Sequence, residues 1–157
     1  MRLVLFSLAA SLAVAAPAMA QGETKDMGAR FDVHTGGAWQ DGQSLQGTVG
    51  ATVGYDIATG GKSFVGLEES VDKVLTSQDR ARFSTTARLG IRATPTDKVY
   101  GLAGYTYGTG PNGAHIGAGV EHSLGQQYFT KVEYRHTFNE DNARDSNAAL
   151  VGVGLRF

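Results

Sequence analysis

The chain has 157 residues, with 22 glycines, 3 prolines and no cysteine. Its 14 basic and 15 acidic residues give a formal net charge of −1. This balance argues against a nucleic-acid partner, because a nucleic-acid surface needs clustered positive charge. Without cysteine, disulfides, thiol catalysis and thiolate metal sites are excluded.

The first twenty residues have the pattern of a secretory signal peptide. Arg2 supplies the positive start, an apolar run follows to Ala16, and Ala18-Met19-Ala20 is a small-residue cleavage signal. The apolar run is too short for a membrane-spanning helix. An ordered N-terminal helix is the alternative to a signal peptide. We predict a signal peptide over residues 1–20, a short polar segment over 21–28 and one folded domain over 29–157.

Eight segments of that domain alternate bulky apolar residues with small or charged ones. From Ala81 onward, for example, Phe83, Leu89 and Ile91 alternate with Arg82, Arg88 and Arg92. A period of two indicates β-strands with one apolar face and one polar face. The predicted strands are about Ala29–Gln40, Ser44–Ile57, Lys62–Val71, Arg80–Ala93, Lys98–Gly108, Gly113–His122, Gln127–Phe138 and Asn147–Phe157.

The facing of the fifth strand is ambiguous from its sequence. We predict that Val99, Ala103, Tyr105 and Tyr107 share the apolar outer face, and the opposite facing is the alternative.

The connections differ in length and charge along the chain. Ala58–Gly61, Thr94–Asp97 and Ser123–Gln126 are tight, whereas Asp72–Asp79 and Asn139–Ser146 are longer and charged. Strands of about ten residues can cross hydrocarbon when tilted, and an even number of them brings the two termini to one end. We therefore predict an all-β fold, an eight-stranded antiparallel up-and-down transmembrane β-barrel.

The polar faces of the strands carry most of the charged residues. An eight-stranded barrel has just enough interior space for side chains, and buried charges need opposite partners. We predict a salt-bridged network that fills the barrel and leaves little room for a pore. Its predicted members are Arg30, Asp32, Glu68, Arg82, Arg88, Glu121, Lys131, Glu133, Arg135 and Arg156.

Aromatic residues fall near the predicted strand ends on the apolar faces. Aromatic girdles at both interfaces are typical of membrane barrels, and the core of a soluble sandwich is the alternative. The predicted girdle residues are Phe31, Trp39, Tyr55, Phe83, Tyr105, Tyr107, Tyr128, Tyr134, Phe138 and Phe157.

Short motifs recur in the order typical of one family. They are Gly54-Tyr55-Asp56, Gly66-Leu67-Glu68, Tyr100-Gly101-Leu102-Ala103-Gly104-Tyr105, Gly117-Ala118-Gly119-Val120-Glu121, Lys131-Val132-Glu133-Tyr134-Arg135 and Val151-Gly152-Val153-Gly154-Leu155-Arg156-Phe157. With them the chain resembles the small eight-stranded outer-membrane barrels of the opacity-protein and outer-membrane-protein-A type, the "porin family" barrels.

The resemblance implies a location in the Gram-negative outer membrane and several partners. It implies insertion by the barrel-assembly machinery, with Phe157 as the terminal aromatic that the machinery recognises. We also expect contact with outer-membrane lipid and lipopolysaccharide, and a monomer. The short connections Asp41–Gln43 and Thr109–Asn112 depart from the long surface loops of adhesive relatives, so adhesion is not expected.

Four patterns suggest chemistry but have simpler explanations. Gly108–Gly113 has the spacing of a dinucleotide loop, yet its Pro-Asn-Gly turn leads into a predicted strand rather than a helix. Glu121, His122 and Ser123 are the residue types of a hydrolytic triad, but adjacent strand residues point to opposite faces.

The remaining two patterns concern metal ligands. His34, His115, His122 and His136 lie on separate predicted strands without metal-ligand spacing. The acidic loop Asn139–Asp145 lacks the glycine and closing glutamate of a calcium loop, so a solvated loop or loose contact with cation-bridged lipopolysaccharide is expected.

These observations predict a structural, envelope-maintaining barrel without catalysis or cofactor. A narrow channel for ions or small solutes is the alternative. A soluble periplasmic ligand-binding barrel is a third hypothesis.

Overall fold

The structure, a computed structural model, describes residues 27–40, 42–75 and 80–157. The predicted signal peptide, residues 21–26, residue 41 and residues 76–79 lie outside the described residues. The described chain forms eight strands, β1 to β8 in chain order. Their bounds are Gly28–Gln40, Gln46–Gly60, Ser63–Val74, Arg80–Arg92, Asp97–Gly108, Gly113–Leu124, Tyr128–Asn139 and Ser146–Arg156.

The eight strands form one closed antiparallel barrel. Each strand pairs with the next, and β8 pairs back onto β1, with Arg30 opposite Arg156 and Gln40 opposite Ser146. The predicted all-β, eight-stranded up-and-down barrel is confirmed. Closure pairs every strand on both edges, so the unpaired backbone groups of an open sheet edge are avoided. In the part of the chain that the structure describes, no helix is long and apolar enough to cross a membrane.

The barrel has two different ends. The termini end holds Met27 and Phe157 together with the turns at residues 61–62, 93–96 and 125–127. The mouth end holds the described parts of the other connections, namely residues 42–45, residue 75, residues 109–112 and residues 140–145.

Several predicted boundaries are corrected here. Asp72, expected in a loop, lies inside β3, where Ser70 and Asp72 continue the inward alternation of that strand. Ala58, Asp97 and Ser123, expected in turns, also lie within strands.

The outer surface of the barrel is apolar. Leu89 and Val132, for example, are 63% and 62% exposed on it. On β5, Val99 and Tyr105 face outward while Tyr100 and Leu102 are buried inside, which confirms the predicted facing of that strand. The fold is therefore inverted relative to a soluble barrel, in which the apolar residues would fill the interior.

Three aromatic residues point into the barrel and are almost completely buried, namely Phe64, Tyr100 and Phe129. Tyr100 lies directly opposite Gly119 across the β5–β6 pair, and Phe129 lies opposite Gly154 across β7–β8. A Cβ atom on Gly119 would lie 2.5 Å from the hydroxyl oxygen of Tyr100. These glycines thus make room for rings that lie flat along the inner wall.

We expect Gly119→Ala to destabilise the barrel by about 1–3 kcal/mol, because the added methyl displaces the Tyr100 ring. The matched control is Gly101→Ala, since Gly101 faces outward and its added Cβ would approach nothing closer than the Gly117 carbonyl at 3.9 Å. Urea unfolding of the refolded protein, followed by the fluorescence of its only tryptophan, Trp39, measures both. Equal stability of the two variants would contradict this packing.

Candidate functional site

The interior of the barrel at the termini end is organised around one carboxylate, Glu121 of β6. Its oxygens accept hydrogen bonds from Arg30 Nη1 and from Arg156 Nη2, both at 2.5 Å. Arg88 Nη2 lies 3.3 Å away and Lys98 Nζ 3.5 Å away. Glu121 therefore connects cations from four different strands, which cross-links the barrel through its interior.

Two further carboxylates complete this part of the interior. Glu68 of β3 accepts hydrogen bonds from Arg30 Nη2 and, at 2.9 Å, from Arg88 Nη1. Asp56 of β2 lies 3.3 Å from Arg88 Nε and 3.5 Å from Lys98 Nζ. The guanidinium of Arg88 is thus shared among three carboxylates, which compensates for its removal from water.

A second group of contacts extends toward the mouth along β1. Asp32 contacts Lys131 Nζ at 2.8 Å and His34 Nδ1 at 3.2 Å. The other ring nitrogen of His34 lies 2.7 Å from Asp72 Oδ1. A carboxylate oxygen thus lies within hydrogen-bond distance of each ring nitrogen of His34.

The third group lies on β7. Glu133 accepts hydrogen bonds from Arg135 Nε at 2.5 Å and from the Tyr100 hydroxyl at 2.9 Å. Arg135 Nη1 also lies 3.9 Å from Asp72 Oδ2, so this group joins the one on β1.

Together these contacts form one network of balanced charge, which we call the lumen network. Its cations are Arg30, Arg88, Lys98, Lys131, Arg135 and Arg156. Its carboxylates are Asp32, Asp56, Glu68, Asp72, Glu121 and Glu133. Six positive and six negative groups neutralise one another, as buried charges require.

The composition of the lumen network differs from the sequence prediction in four residues. Arg82, a predicted member, lies apart from it near the mouth, half-buried, and donates a hydrogen bond to the Pro111 carbonyl at 2.5 Å. The other nine predicted residues lie within the network. Asp56, Asp72 and Lys98 were not predicted as members, although all three continue the inward alternation of their strands.

The inward aromatic rings are packed against the guanidinium groups. The Arg88 guanidinium lies 4.1 Å from the ring centre of Tyr100 and 5.0 Å from that of Phe64. Arg156 and Arg30 lie 4.7 Å and 5.4 Å from the ring centre of Phe129. Cation–π contacts of this kind add stabilisation where the cation is desolvated. Together, rings and ion pairs fill the cross-section of the barrel.

The predicted girdle residues lie on the outer surface. At the termini end are Phe31, Tyr55, Tyr128 and Phe157, and toward the mouth are Trp39, Phe83, Tyr105, Tyr107, Tyr134 and Phe138. Trp39 and Tyr134 have ring centres 6.4 Å apart, and Phe83 stacks on Tyr107 at 6.0 Å. Such rings, with an apolar body and often a polar tip, suit the interfaces of a bilayer.

The residues of the triad-like sequence are separated by the fold. Glu121 and Ser123 face the interior, where both contact Arg156. His122 is on the outer face and lies 2.6 Å from Asp97 of the neighbouring strand.

The remaining histidines have separate environments. His115 is buried, with its ring nitrogens 3.0 Å from the hydroxyls of Thr86 and Thr106, while His136 faces outward beside Phe138. In the described residues, no group of three or more His, Asp or Glu side chains is arranged to hold a metal ion.

A cavity of about 410 Å³ lies above the lumen network at the mouth end. Its wall includes Thr48, Ser84 and Thr106, and the charged residues on it are Asp72, Arg82 and Arg135. Below it, the side chains of Arg30, Glu68, Arg88 and Glu121 are at most 1% exposed. Solvent in the mouth therefore reaches Asp72 and Arg135 at the upper edge of the lumen network but not the four side chains below them.

Adjacent glutamates on opposite faces of β3 provide a test of the network. We expect Glu68→Gln to cost about 3 kcal/mol or more, because it leaves Arg30 and Arg88 with one carboxylate fewer in a buried site. Glu69→Gln is the control: Glu69 faces outward between Val53 and Thr85, where losing a charge should not destabilise a lipid-facing wall. Urea unfolding in lipid vesicles measures both, and equal losses would contradict the assignment.

The chain resembles known proteins in sequence and in structure. The family model described as "Outer membrane protein beta-barrel domain" matches residues 6–157. No curated protein matches the chain in sequence.

Three solved structures illustrate the structural likeness. The attachment invasion locus protein Ail of Yersinia pestis has a TM-score of 0.61 at 17% identity, covering 83% of this chain and 97% of Ail. The N-terminal β-barrel domain of Pseudomonas aeruginosa OprF has a TM-score of 0.57 at 17% identity, covering 82% and 97%. The outer membrane enzyme PagL has a TM-score of 0.54 at 13% identity, covering 82% and 99%.

Proposed function

The chain belongs to the outer membrane protein beta-barrel family, and from this membership we propose a structural role in the envelope without catalysis. The family implies a location in the Gram-negative outer membrane. The export signal predicted at residues 1–20 is consistent with that location and is part of the proposal.

The lumen network is the observation that carries this proposal. Arg30 on β1 reaches Glu121 on β6, and Arg88 on β4 reaches both Glu121 and Glu68, so ion pairs run across the barrel from wall to wall. The same side chains are sealed from solvent. An interior occupied in this way supports a stable plug rather than an open path.

PagL, which is similar to this chain in structure, is an enzyme. In this chain the one serine, histidine and glutamate sequence is split between the two faces of β6. Glu121 is engaged by four cations and His115 by two threonine hydroxyls. These contacts favour structural roles for Glu121 and His115.

A narrow channel is the second candidate, and one observation favours it. The wall of the mouth cavity carries polar and charged side chains, and most of the buried side chains of the barrel interior are also polar or charged. A rearrangement of the ion pairs would therefore open a hydrophilic path, whereas an apolar plug would have to be displaced entirely.

The proposed partners follow from the surface of the barrel. The apolar wall and its aromatic residues suit outer-membrane lipid, and the acidic connection at residues 140–145 suits loose contact with cation-bridged lipopolysaccharide. Because closure leaves no strand edge for pairing with another copy, we propose a monomer, inserted by the barrel-assembly machinery.

Planar-bilayer recording distinguishes the plug from the channel. We expect the refolded protein to give no steady conductance steps, because the lumen network occupies the cross-section. Arg88→Ala combined with Glu121→Ala is the positive control, since it removes one of the ion pairs that cross the barrel. Heat-modifiable migration on a detergent gel verifies that each sample is folded. Steady conductance of the unmodified protein, altered by Glu133→Gln, would contradict the plug and support the channel.

A further inference from the structure

The mouth cavity carries a positive charge that the lumen network does not neutralise. Arg82 projects inward from β4 near the mouth, and its hydrogen bond goes to a neutral group, the carbonyl of Pro111. Among the described residues, no carboxylate forms an ion pair with it. Each cation of the lumen network, by contrast, has at least one carboxylate partner.

The nearest carboxylate is committed elsewhere. Asp72 is the direct cross-strand neighbour of Arg82. Its Oδ1 is 2.7 Å from His34 Nε2, while its Oδ2 accepts from Ser70 at 3.1 Å and faces Arg135 at 3.9 Å. Asp72 therefore belongs to the lumen network, and Arg82 is an interior cation that forms no ion pair with a carboxylate of the described residues.

Two described acidic residues of the mouth connections, Glu140 and Asp145, are turned away from the cavity. Glu140 accepts a hydrogen bond from the outward-facing Tyr105 at 2.8 Å. Asp145 lies 3.6 Å from the outward-facing His136 and accepts from the Asn139 backbone. These carboxylates consequently do not compensate the charge of Arg82 inside the mouth.

Polar groups that can bind a ligand surround Arg82. The hydroxyls of Ser84 and Thr106 lie on the cavity wall, 2.9 Å from each other, and both residues are less than a tenth exposed. Arg135, also more than nine-tenths buried, adds a second guanidinium to the wall. The Pro111 carbonyl holds the Arg82 side chain in place, so less conformational freedom is lost on binding.

We propose that this cavity is a binding site for a small soluble molecule bearing an oxyanion, such as a phosphate, sulfate or carboxylate group. Arg82 supplies the principal charge, since a guanidinium matches two oxygens of such a group at once. The hydroxyls of Ser84 and Thr106 share one hydrogen bond, so this pair can offer the ligand one further donor when the His115 nitrogen donates to Thr106. A cavity of about 410 Å³ is large enough for the anion together with a small polar body of sugar size.

Inorganic phosphate is the probe for a direct test. The refolded full-length mature protein, in detergent free of lipopolysaccharide, is titrated with phosphate while the backbone amide resonances of Ser84, Thr106 and Gly110 are followed. We expect saturable shifts that Arg82→Gln weakens by about tenfold or more, the loss expected for one charge-assisted donor. The matched control is Lys62→Gln, which removes one positive charge at the termini end and should leave the titration unchanged.

Three results would overturn the proposal. One is a phosphate titration that Arg82→Gln leaves unaltered, and another is a drift without saturation that is equal in all three proteins. The third is a shift at Ser84 and Thr106 produced by lipopolysaccharide but not by phosphate, which would assign the site to a lipid headgroup. Heat-modifiable migration and an unchanged amide spectrum outside the mouth establish that Arg82→Gln is folded.

Discussion

Charge neutralisation inside a narrow closed barrel is the constraint on which the rest of this structure depends. Closure satisfies the backbone, but below the mouth it also forces every second residue of the strands into a space with almost no solvent. The six cations and six carboxylates of the lumen network satisfy this constraint together, and removing one member leaves its buried partners with less compensation. The apolar outer wall follows from the same alternation, because residues that cannot lie among the ion pairs face outward. The apolar wall that faces the membrane and the filled interior are thus two consequences of one alternating pattern.

The aromatic rings and glycines inside the barrel belong to the same solution. Tyr100 illustrates this: it lies across from Gly119, donates its hydroxyl proton to Glu133 and supports the guanidinium of Arg88. A ring in that position fills volume that ion pairs alone would leave to water. It also contacts both groups of ion pairs, since Arg88 beside its ring pairs with Glu121 and its hydroxyl binds Glu133.

The sequence predicted which residues face the interior of the barrel, but it did not predict which of them contact one another there. Alternation predicts which face a residue takes, and it was sufficient for all eight strands, including β5. Alternation says nothing about which residues meet across the interior, since that depends on the register and tilt of strands that are distant in sequence. Asp56 and Lys98 therefore escaped prediction as network members, and Arg82 was assigned to a network from which it lies apart. Asp72 was expected in a loop because the segment that follows it in the sequence is polar and charged. Its alternation with Ser70, however, is that of a strand.

A double-mutant cycle on Asp32 and Lys131 tests the central claim most directly. Their 2.8 Å contact is fully buried, and the isosteric changes Asp32→Asn and Lys131→Met remove one charge each. Unfolding free energies in lipid vesicles would be measured for the unmodified protein, both single variants and the double variant. If mutual neutralisation holds the interior together, the double variant is less destabilised than the sum of the singles, with a coupling of about 1–3 kcal/mol. Strictly additive losses would contradict the account.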